Sequence, residues 1–280
     1  MARLLEGKPV AERIKEEIRA EVAGLARKPV LASIIVGQNP GAQSYVKSQK
    51  KAAEALGIEY ALHELAEGAT EQELCDFIGT LNADKNVNGI IIQMPLPPHI
   101  DYKKISGFIL PQKDVEGMHP ANIGTMLFGK AKILPCTPAA VMELLKESAI
   151  DLNGKDTVIV GHSEIVGKPL ALLLLDKFAT VSVCHIGTSK AGKLQEHVSR
   201  AEVLIVAVGK AGLIKGEWVK EGAVVIDVGI NRVGDKIVGD VEFEAAQARA
   251  SCITPVPGGV GPLTVTMLMR NLLEAAKLQR

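Results

Sequence analysis

The sequence has few of the features that mark nucleic-acid-binding or membrane proteins. Aromatic residues make up only 3% of its 280 residues, and 32 acidic side chains balance 32 lysines and arginines. A chain without a basic surplus or many aromatic rings is not expected to bind nucleic acid, and zero net charge provides no general attraction to a membrane surface. No apolar run reaches membrane-spanning length, and the first residues lack a signal-peptide pattern. We therefore expect a cytoplasmic protein that binds neither nucleic acid nor membrane.

Disulfide and metal chemistry also have little support. The four cysteines, Cys75, Cys136, Cys184 and Cys252, are scattered along the chain, and no two of them form a Cys-x-x-Cys pair. None of the six histidines has ligand-like spacing with another histidine. The sequence therefore predicts reduced thiols and no required metal.

Short β-branched segments alternate with amphipathic helical segments along most of the chain. Strands that alternate with helices are typical of parallel sheets whose faces are covered by the helices. The predicted strands are Val30–Val36, Glu59–Leu65 and Val87–Gln93 in a first series, and Thr157–Gly161, Thr180–Cys184, Val203–Val208 and Ala223–Val228 in a second series.

A predicted helix with Thr137 as its N-cap joins the two series. We therefore expect an α/β fold with two α/β domains and a cleft between them, the second being a Rossmann-like parallel-sheet dinucleotide-binding domain. The expected catalytic domain covers residues 1–138 and a C-terminal helix at about 264–280, and the dinucleotide domain covers residues 139–263.

The second series begins with the most distinctive turn in the sequence. Thr157–Gly161 resembles a buried strand, and Gly167-Lys168-Pro169 opens an apolar helix. A glycine-bearing turn that leads into a helix N-terminus binds phosphate through exposed N–H groups and the positive end of the helix dipole. The spacing is Gly-x-Ser-x-x-x-Gly rather than Gly-x-Gly-x-x-Gly, so the turn alone leaves a dinucleotide site and a plain strand-to-helix turn equally open.

Polar side chains near other predicted strand ends define a second candidate site. Tyr45 and Gln49 lie one helical turn apart, and Gln93 ends a strand before a proline-rich loop. Asp114 and Glu116 lie in a turn further along. Carboxyl ends of parallel strands meet at one edge, where ligands bind. Each position also has a structural interpretation, as a solvated helix face, a strand-end hydrogen bond or exposed turn carboxylates, so the residues leave both interpretations open.

A glycine- and proline-rich turn, Thr254–Thr264, precedes the last predicted helix. Gly258, Gly259 and Gly261 permit close backbone approach to a ligand, and the prolines restrict the flexibility of the turn. We interpret this turn as a ligand contact rather than as a purely structural element.

Five stretches together carry a family resemblance. They are Tyr45–Ala52, Ile92–Pro97, Lys113–Gly117, Gly161–Pro169 and Ile253–Pro262. In this order they resemble the bifunctional methylenetetrahydrofolate dehydrogenase/cyclohydrolases, the FolD family, over nearly the whole chain. The Pro-Val-Pro-Gly-Gly-Val-Gly-Pro stretch is highly specific to that family.

The resemblance implies a homodimer that binds tetrahydrofolate derivatives and NAD or NADP in one-carbon metabolism. It implies oxidation of 5,10-methylenetetrahydrofolate to the 5,10-methenyl form, which most members then hydrolyse to 10-formyltetrahydrofolate. By position, the resemblance gives as catalytic residues Tyr45, Gln49, Gln93 and Glu116; as dinucleotide contacts Gly161, His162, Ser163, Ile165, His185, Val208, Gly209 and Ile230; and as folate contacts Tyr45, Gln93, Pro95, Leu96, Glu116, Pro257, Gly258, Gly259 and Thr264.

Two residues depart from the family pattern in the implied catalytic site. Gln49 stands where the family pattern Tyr-x-x-x-Lys has lysine, and Glu116 replaces the second aspartate of Asp-Val-Asp-Gly. Glutamine cannot transfer a proton at neutral pH, so we predict that dehydrogenase activity survives while cyclohydrolase activity is weak or lost. A fully bifunctional enzyme and a non-catalytic folate- or dinucleotide-binding protein are the alternatives.

Two further departures concern the dinucleotide. His162 replaces an arginine that can pair with a 2′-phosphate, and Ile186 follows His185 where the family often has serine. No acidic residue ends the strand Thr180–Cys184 to hold a free 2′-hydroxyl. The sequence therefore favours NAD over NADP by a narrow margin.

Overall fold

The computed structural model describes residues 2–279 and divides the chain into two compact units. The first unit comprises Arg13–Cys136 and Val265–Arg280, and the second comprises Met1–Glu12 and Thr137–Thr264. The strands are β1 (Arg3–Leu4), β2 (Val30–Val36), β3 (Glu59–Leu65), β4 (Gly89–Ile92), β5 (Asp156–Val160), β6 (Thr180–Cys184), β7 (Val203–Val206), β8 (Val224–Asp227), β9 (Asn231–Val233), β10 (Lys236–Val238) and β11 (Cys252–Ile253). The α-helices are α1 (Gly7–Ala23), α2 (Pro40–Ala55), α3 (Glu71–Ala83), α4 (Tyr102–Ser106), α5 (Pro120–Met126), α6 (Cys136–Ser148), α7 (Gly167–Leu175), α8 (Ile186–Lys190), α9 (Leu194–Arg200), α10 (Phe243–Arg249) and α11 (Gly261–Leu278).

The first unit contains a three-stranded parallel sheet in the order β3-β2-β4. The central strand β2 is buried along almost its whole length, as expected when helices cover both faces of a parallel sheet. The core includes Ile34, Leu74, Ile78 and Ile90, contributed by β2, α3 and β4. These contacts hold the carboxyl ends of β2 and β4 side by side at one edge of the sheet.

The second unit contains a six-stranded parallel sheet in the order β1-β11-β8-β7-β5-β6, with a separate antiparallel hairpin of β9 and β10. After β5 the chain first adds β6 on one side and then β7 on the other, so the connections reverse direction between β5 and β7. Ligands of open parallel sheets bind at such a switch point, beyond the carboxyl ends of the strands. The predicted α/β class and the Rossmann-like second sheet are confirmed by this topology.

The structure corrects two details of the predicted organisation. Residues 1–12 belong to the second unit rather than the first, because β1 pairs with β11 in that unit's sheet. The helix expected to have Thr137 as its N-cap, and so to begin at Pro138, begins two residues earlier, at Cys136. Pro138 fits there because N–H groups in the first turn of a helix have no intrahelical acceptor.

Helix starts that depend on local capping follow the sequence closely. Helix α3 begins with a capping box, whose sequence signature is Thr70-x-x-Glu73: Thr70 Oγ1 accepts a hydrogen bond from Glu73 N at 3.2 Å, and Glu73 Oε2 accepts one from Thr70 N at 2.8 Å. Among the described residues, no helix is both long enough and apolar enough to cross a membrane.

Candidate functional site

A buried cluster of neutral polar side chains lies at the carboxyl end of the sheet in the first unit. Gln49 and Gln93 are only 5% and 4% exposed. Gln93 Nε2 donates hydrogen bonds to Gln49 Oε1 at 2.7 Å and to Ser33 Oγ at 3.0 Å. Tyr60 Oη donates to Gln49 Oε1 at 3.0 Å. Both acceptor positions of the Gln49 carbonyl are therefore occupied by neighbouring side chains.

This amide cluster contains no group that ionises near neutral pH. Burial raises the pKa of the Tyr60 hydroxyl above its ordinary value, so that hydroxyl stays neutral. Amides and serine hydroxyls do not titrate in this range. The cluster can orient a substrate or a water molecule by hydrogen bonding, but it holds no side chain that can accept a proton at neutral pH.

Helix α2 holds Gln49 inside and Tyr45 outside. Asn39 caps the helix, and its Oδ1 accepts hydrogen bonds from Gly41 N at 2.9 Å and Ala42 N at 3.1 Å. Tyr45 lies one turn before Gln49, but its side chain is 59% exposed. The expected shared face thus places an open aromatic ring next to a buried amide, an arrangement suited to stacking on a flat ligand.

The loop that carries Glu116 is fixed by its two preceding charged residues. Lys113 is 4% exposed, and its Nζ donates to the backbone oxygens of Leu81, Asn82 and Asp84 at the end of α3, at 2.9, 2.9 and 2.6 Å. These carbonyls would otherwise lack intrahelical donors. Lys113 therefore caps α3 and ties the loop to it.

Asp114 organises the same loop from within. Its Oδ1 accepts from Gly117 N at 3.1 Å, and its Oδ2 accepts from His119 N at 2.7 Å and Asn122 Nδ2 at 2.9 Å. Gly117 has φ +71°, and a Cβ there would overlap the backbone of Leu134. The turn that sequence reasoning interpreted as a possible solvated surface feature is thus a constrained, hydrogen-bonded loop.

Glu116 itself is partly buried and has an unusual protonation behaviour. Desolvation is the largest cause that raises the pKa of its carboxyl to about 7, and the nearby charge of Asp114 adds to the effect. Tyr102 Oη lies 3.2 Å from Glu116 Oε2 and donates a hydrogen bond to it, which opposes the rise. The thiol of Cys136, a half-buried residue, lies close by, and desolvation also raises its pKa.

Pro95 and Leu96 lie in the loop that follows Gln93. With residues of the β2–α2 turn they line a cavity of about 290 Å³. The Met94–Pro95 peptide bond is cis. The structure therefore brings the predicted folate contacts of the first unit to the ends of β2 and β4, with Glu116 in the separate loop described above.

The second unit has a cavity of about 380 Å³ beyond the carboxyl ends of β5, β6 and β7. Gly161 has φ +126°, and a Cβ there would overlap the carbonyl oxygen of Ala207. A Cβ on Gly167 would likewise overlap Gly161 O. The turn and the start of α7 thus approach each other as closely as only glycine permits, which suits a dinucleotide at the switch point. The predicted contacts that line this cavity are Gly161, His162, Ser163, His185 and Val208.

The two histidines at this cavity face each other. The ring centroids of His162 and His185 are 5.0 Å apart, and the ring planes are inclined by 43°. His185 Nδ1 accepts a hydrogen bond from Gly187 N at 3.1 Å, so its other ring nitrogen carries the proton in the neutral form. Lys210 also lines the cavity. This wall therefore offers the ammonium group of Lys210 and two imidazole rings, and its lining residues include no carboxylate.

A buried carboxylate that sequence reasoning missed holds the Val208–Gly209 turn. Asp240 is 0% exposed. Its Oδ2 accepts from Val208 N at 2.7 Å and Gly209 N at 3.0 Å, while its Oδ1 accepts from Lys210 N and Asn231 Nδ2, both at 2.8 Å. The only sequence signal was an acidic residue after the predicted strands, which is usually solvated.

Asp240 is in turn held by Asp227 at the end of β8. Asp227 Oδ1 accepts from Asp240 N at 3.0 Å and Gly229 N at 2.9 Å, and its Oδ2 accepts from Val241 N at 2.9 Å. Desolvation raises the pKa of Asp227 to about 6, although these hydrogen bonds oppose the rise. The two carboxylates form a buried support beneath the Val208–Gly209 turn.

The glycine-rich turn before α11 is held from α1. Gly7 N donates to Gly258 O at 2.8 Å, and Gly259 N donates to Pro255 O at 2.8 Å. Gly258 has φ +115°. Pro257 follows a cis peptide bond, and Thr264 lies in the first turns of α11. The folate role of this turn remains a prediction.

Ile165 and Ile230 lie apart from the cavity wall and are 58% and 61% exposed. Their dinucleotide role remains a prediction. Among the described residues, no group of three or more histidine, cysteine or acidic side chains is arranged to hold a metal ion.

Two family models match the chain. The tetrahydrofolate dehydrogenase/cyclohydrolase catalytic domain matches residues 5–116, and the NAD(P)-binding domain of the same family matches residues 135–280. Among curated relatives, the bifunctional protein FolD of Acetivibrio thermocellus is 52% identical over 99% of this chain and 98% of its own length.

Solved structures give the same result. The bifunctional FolD methylenetetrahydrofolate dehydrogenase/cyclohydrolase of Campylobacter jejuni is 47% identical, with a TM-score of 0.96 and full coverage of both chains. The Trypanosoma brucei methylenetetrahydrofolate dehydrogenase-cyclohydrolase, solved with NADP and an inhibitor, is 40% identical, with a TM-score of 0.93 over 99% of this chain and 98% of that one.

Proposed function

Because this chain belongs to the tetrahydrofolate dehydrogenase/cyclohydrolase family, we propose that it oxidises 5,10-methylenetetrahydrofolate to 5,10-methenyltetrahydrofolate with a nicotinamide dinucleotide. Two features carry the proposal. The first is the buried Gln93, hydrogen-bonded to Gln49 one helical turn from the open ring of Tyr45, and the second is the glycine turn at the sheet's switch point. The dinucleotide, when bound, supplies the hydride acceptor, and the protein's part is to position the folate and exclude water.

The folate roles proposed for the first unit fit its chemistry. The ring of Tyr45 offers a flat stacking surface, and the Gln93 amide can donate or accept at the reacting centre. The Glu116 carboxylate can accept the paired N–H groups of a pterin. We assign substrate positioning to these three residues.

We further propose that hydrolysis of the methenyl product is weak in this protein. Gln49 lies in the lysine position of the family, and its carbonyl oxygen is already held by Gln93 and Tyr60. A general acid or base typically accelerates proton transfer by about 100-fold or more, and no titrating group takes its place in the cluster. The bifunctional names of the relatives support the alternative, a protein that performs both steps.

The deciding experiment is a paired assay of both reactions with Gln49→Lys. A lysine at this buried position would lose its proton more readily than a solvated one, so we expect the variant to hydrolyse methenyltetrahydrofolate at least about tenfold faster. Gln43→Lys, which adds the same charge on α2 outside the cluster, is the matched control. Hydrolysis by the unmodified protein well above the buffer rate, unchanged by Gln49→Lys, would establish the bifunctional alternative.

The same assay tests the non-catalytic alternative. If methylenetetrahydrofolate produces no reduced nicotinamide with either NAD or NADP, the protein is a binding protein rather than a dehydrogenase.

Preference for NAD over NADP stays a prediction. It is supported by two positions, since His162 stands where the family has arginine and Ile186 stands where it often has serine. Initial rates with each dinucleotide decide it, and a much higher kcat/KM with NADP would reject it.

We also propose that the chain forms a homodimer through the open edge of the second unit's sheet. The edge strand β6 has no partner on its outer side in the described part of the chain. Leu175, Phe178 and Val183 near this edge are 53%, 77% and 37% exposed. An unpaired apolar edge favours pairing with another strand. Light scattering should show a dimer, and Phe178→Asp should shift the equilibrium toward the monomer.

The cytoplasmic location of the protein remains a prediction.

A further inference from the structure

Helix α4 places a tyrosine against the carboxylate proposed to hold the pterin. Tyr102 is the first residue of α4, and Asp101 caps that helix by accepting from Lys103 N at 2.9 Å. Its hydroxyl lies 3.2 Å from Glu116 Oε2. Desolvation and the neighbouring acidic groups raise the pKa of Tyr102 far above its ordinary value, so it remains a donor at every pH of interest.

The backbone of the loop that carries Glu116 is anchored at three points. Lys113 anchors the loop to α3, Asp114 forms a bridge with Ile90 of β4, and Asn271 Nδ2 of α11 donates to Val115 O at 2.8 Å. The Glu116 side chain is therefore the movable part of a fixed loop. With one methylene more than aspartate, it has more rotamers to choose from, and a donor is needed to select one of them.

We propose that Tyr102 is a positioning residue for folate binding, whose hydroxyl fixes the longer Glu116 side chain in the orientation that accepts the pterin N–H groups. This inference rests on the proposed folate role of Glu116. The hydrogen bond occupies one side of Oε2 and leaves Oε1 and the remaining lone pair for the ligand. The hydrogen bond thereby restricts the extra rotational freedom that Glu116 has compared with the aspartate of the family pattern.

The arrangement also sets a pH dependence. The groups that face Glu116 are Tyr102 on α4, Asp114 in the loop and the Cys136 thiol, and none of them is a cation. With its pKa at about 7, Glu116 is ionised above neutral pH and protonated below it. A protonated carboxyl loses an acceptor position, so folate affinity should fall as the pH drops through about 7. Because Tyr102 stabilises the ionised form, removing its hydroxyl should move this fall to higher pH.

The test is calorimetric binding of tetrahydrofolate from about pH 6 to about pH 8.5. Tyr102→Phe keeps the ring and should bind about tenfold more weakly at neutral pH, with the midpoint of the pH dependence shifted upward by about one unit. Glu116→Gln should weaken binding and abolish the pH dependence. Ser106→Ala, which removes a hydroxyl from the same helix, should match the unmodified protein.

The outcomes separate this inference from the proposed function. If Glu116→Gln loses affinity and Tyr102→Phe does not, Glu116 keeps its folate role and the positioning role of Tyr102 is wrong. If Glu116→Gln binds normally, both are wrong. Glu116→Asp is a second route, should Tyr102→Phe fail to fold: the shorter side chain cannot reach the hydroxyl, so the same upward shift is expected, and an unchanged midpoint would overturn the inference.

Discussion

The two units hold their candidate functional atoms in different ways. In the first unit these atoms belong to side chains that are bonded to other side chains, as in the cluster of Gln49, Gln93, Ser33 and Tyr60. In the second unit they are backbone groups and exposed side chains around a glycine turn, and the buried carboxylates of Asp227 and Asp240 hold that backbone from beneath. A substitution should therefore alter chemistry in the first unit and stability in the second.

The largest expected effect is that of Asp240→Asn. The amide has one acceptor oxygen in place of two, and its NH₂ group would face a backbone donor. Each buried N–H group left unpaired costs about 1–3 kcal/mol, so we expect the free energy of unfolding to fall by about 3 kcal/mol and dinucleotide affinity to fall with it. Urea unfolding and dinucleotide calorimetry measure both quantities.

The control for this prediction lies two residues away. Glu242 is only partly buried and pairs with Lys215, so Glu242→Gln should change unfolding by less than about 1 kcal/mol. If Asp240→Asn has the same free energy of unfolding as the control but still loses dinucleotide affinity, the carboxylate acts on the ligand rather than on the backbone. The expectation that substitutions in the second unit mainly alter stability would then be wrong.

The next effect should appear in the first unit, with Ser33→Ala. Ser33 is fully buried, and its hydroxyl accepts from Gln93 Nε2. Its loss should destabilise the fold by about 1 kcal/mol and lower the dehydrogenase kcat about tenfold, because Gln93 is released from one of its two partners. Steady-state kinetics and thermal unfolding test this pair of values. A large stability loss with kcat unchanged would show that the cluster serves the core rather than the reaction.

Some parts of this molecule could be predicted from sequence because their causes are local. The strands β2, β3 and β6 have the predicted bounds, since each is a continuous β-rich run between turn residues. The α3 capping box likewise depends on residues only three positions apart. Glycine turns could be identified because a positive φ or a close approach leaves no other choice at positions such as Gly161.

Other parts depend on contacts between distant positions, which no local pattern reveals. Ser33 and Gln93 are 60 residues apart, and Val208 and Asp240 are 32 apart. The short strand β1 exists only because β11 lies beside it. Tyr102 could be found only once the fold placed α4 against Glu116, since an aromatic residue in a short helix is usually part of the core.

The smallest expected effect concerns how the exposed side chains of the second unit select the dinucleotide. His162 lines the cavity beyond the carboxyl end of β5, at the position where the family pattern has an arginine. A guanidinium there would add a permanent positive charge and a bidentate donor for a 2′-phosphate. His162→Arg should therefore raise the affinity for a ligand with a 2′-phosphate about threefold, relative to the same ligand without it.

Calorimetry with adenosine 2′,5′-bisphosphate and AMP isolates this effect, because the two ligands differ only in the 2′-phosphate. The ratio of the two affinities should rise in His162→Arg. His197→Arg, which adds the same side chain in the same unit on α9, is the matched control. An affinity ratio that is the same in His162→Arg and in the unmodified protein would show that this position does not contact the 2′-phosphate. Dinucleotide choice would then depend on other parts of the turn, such as Lys210.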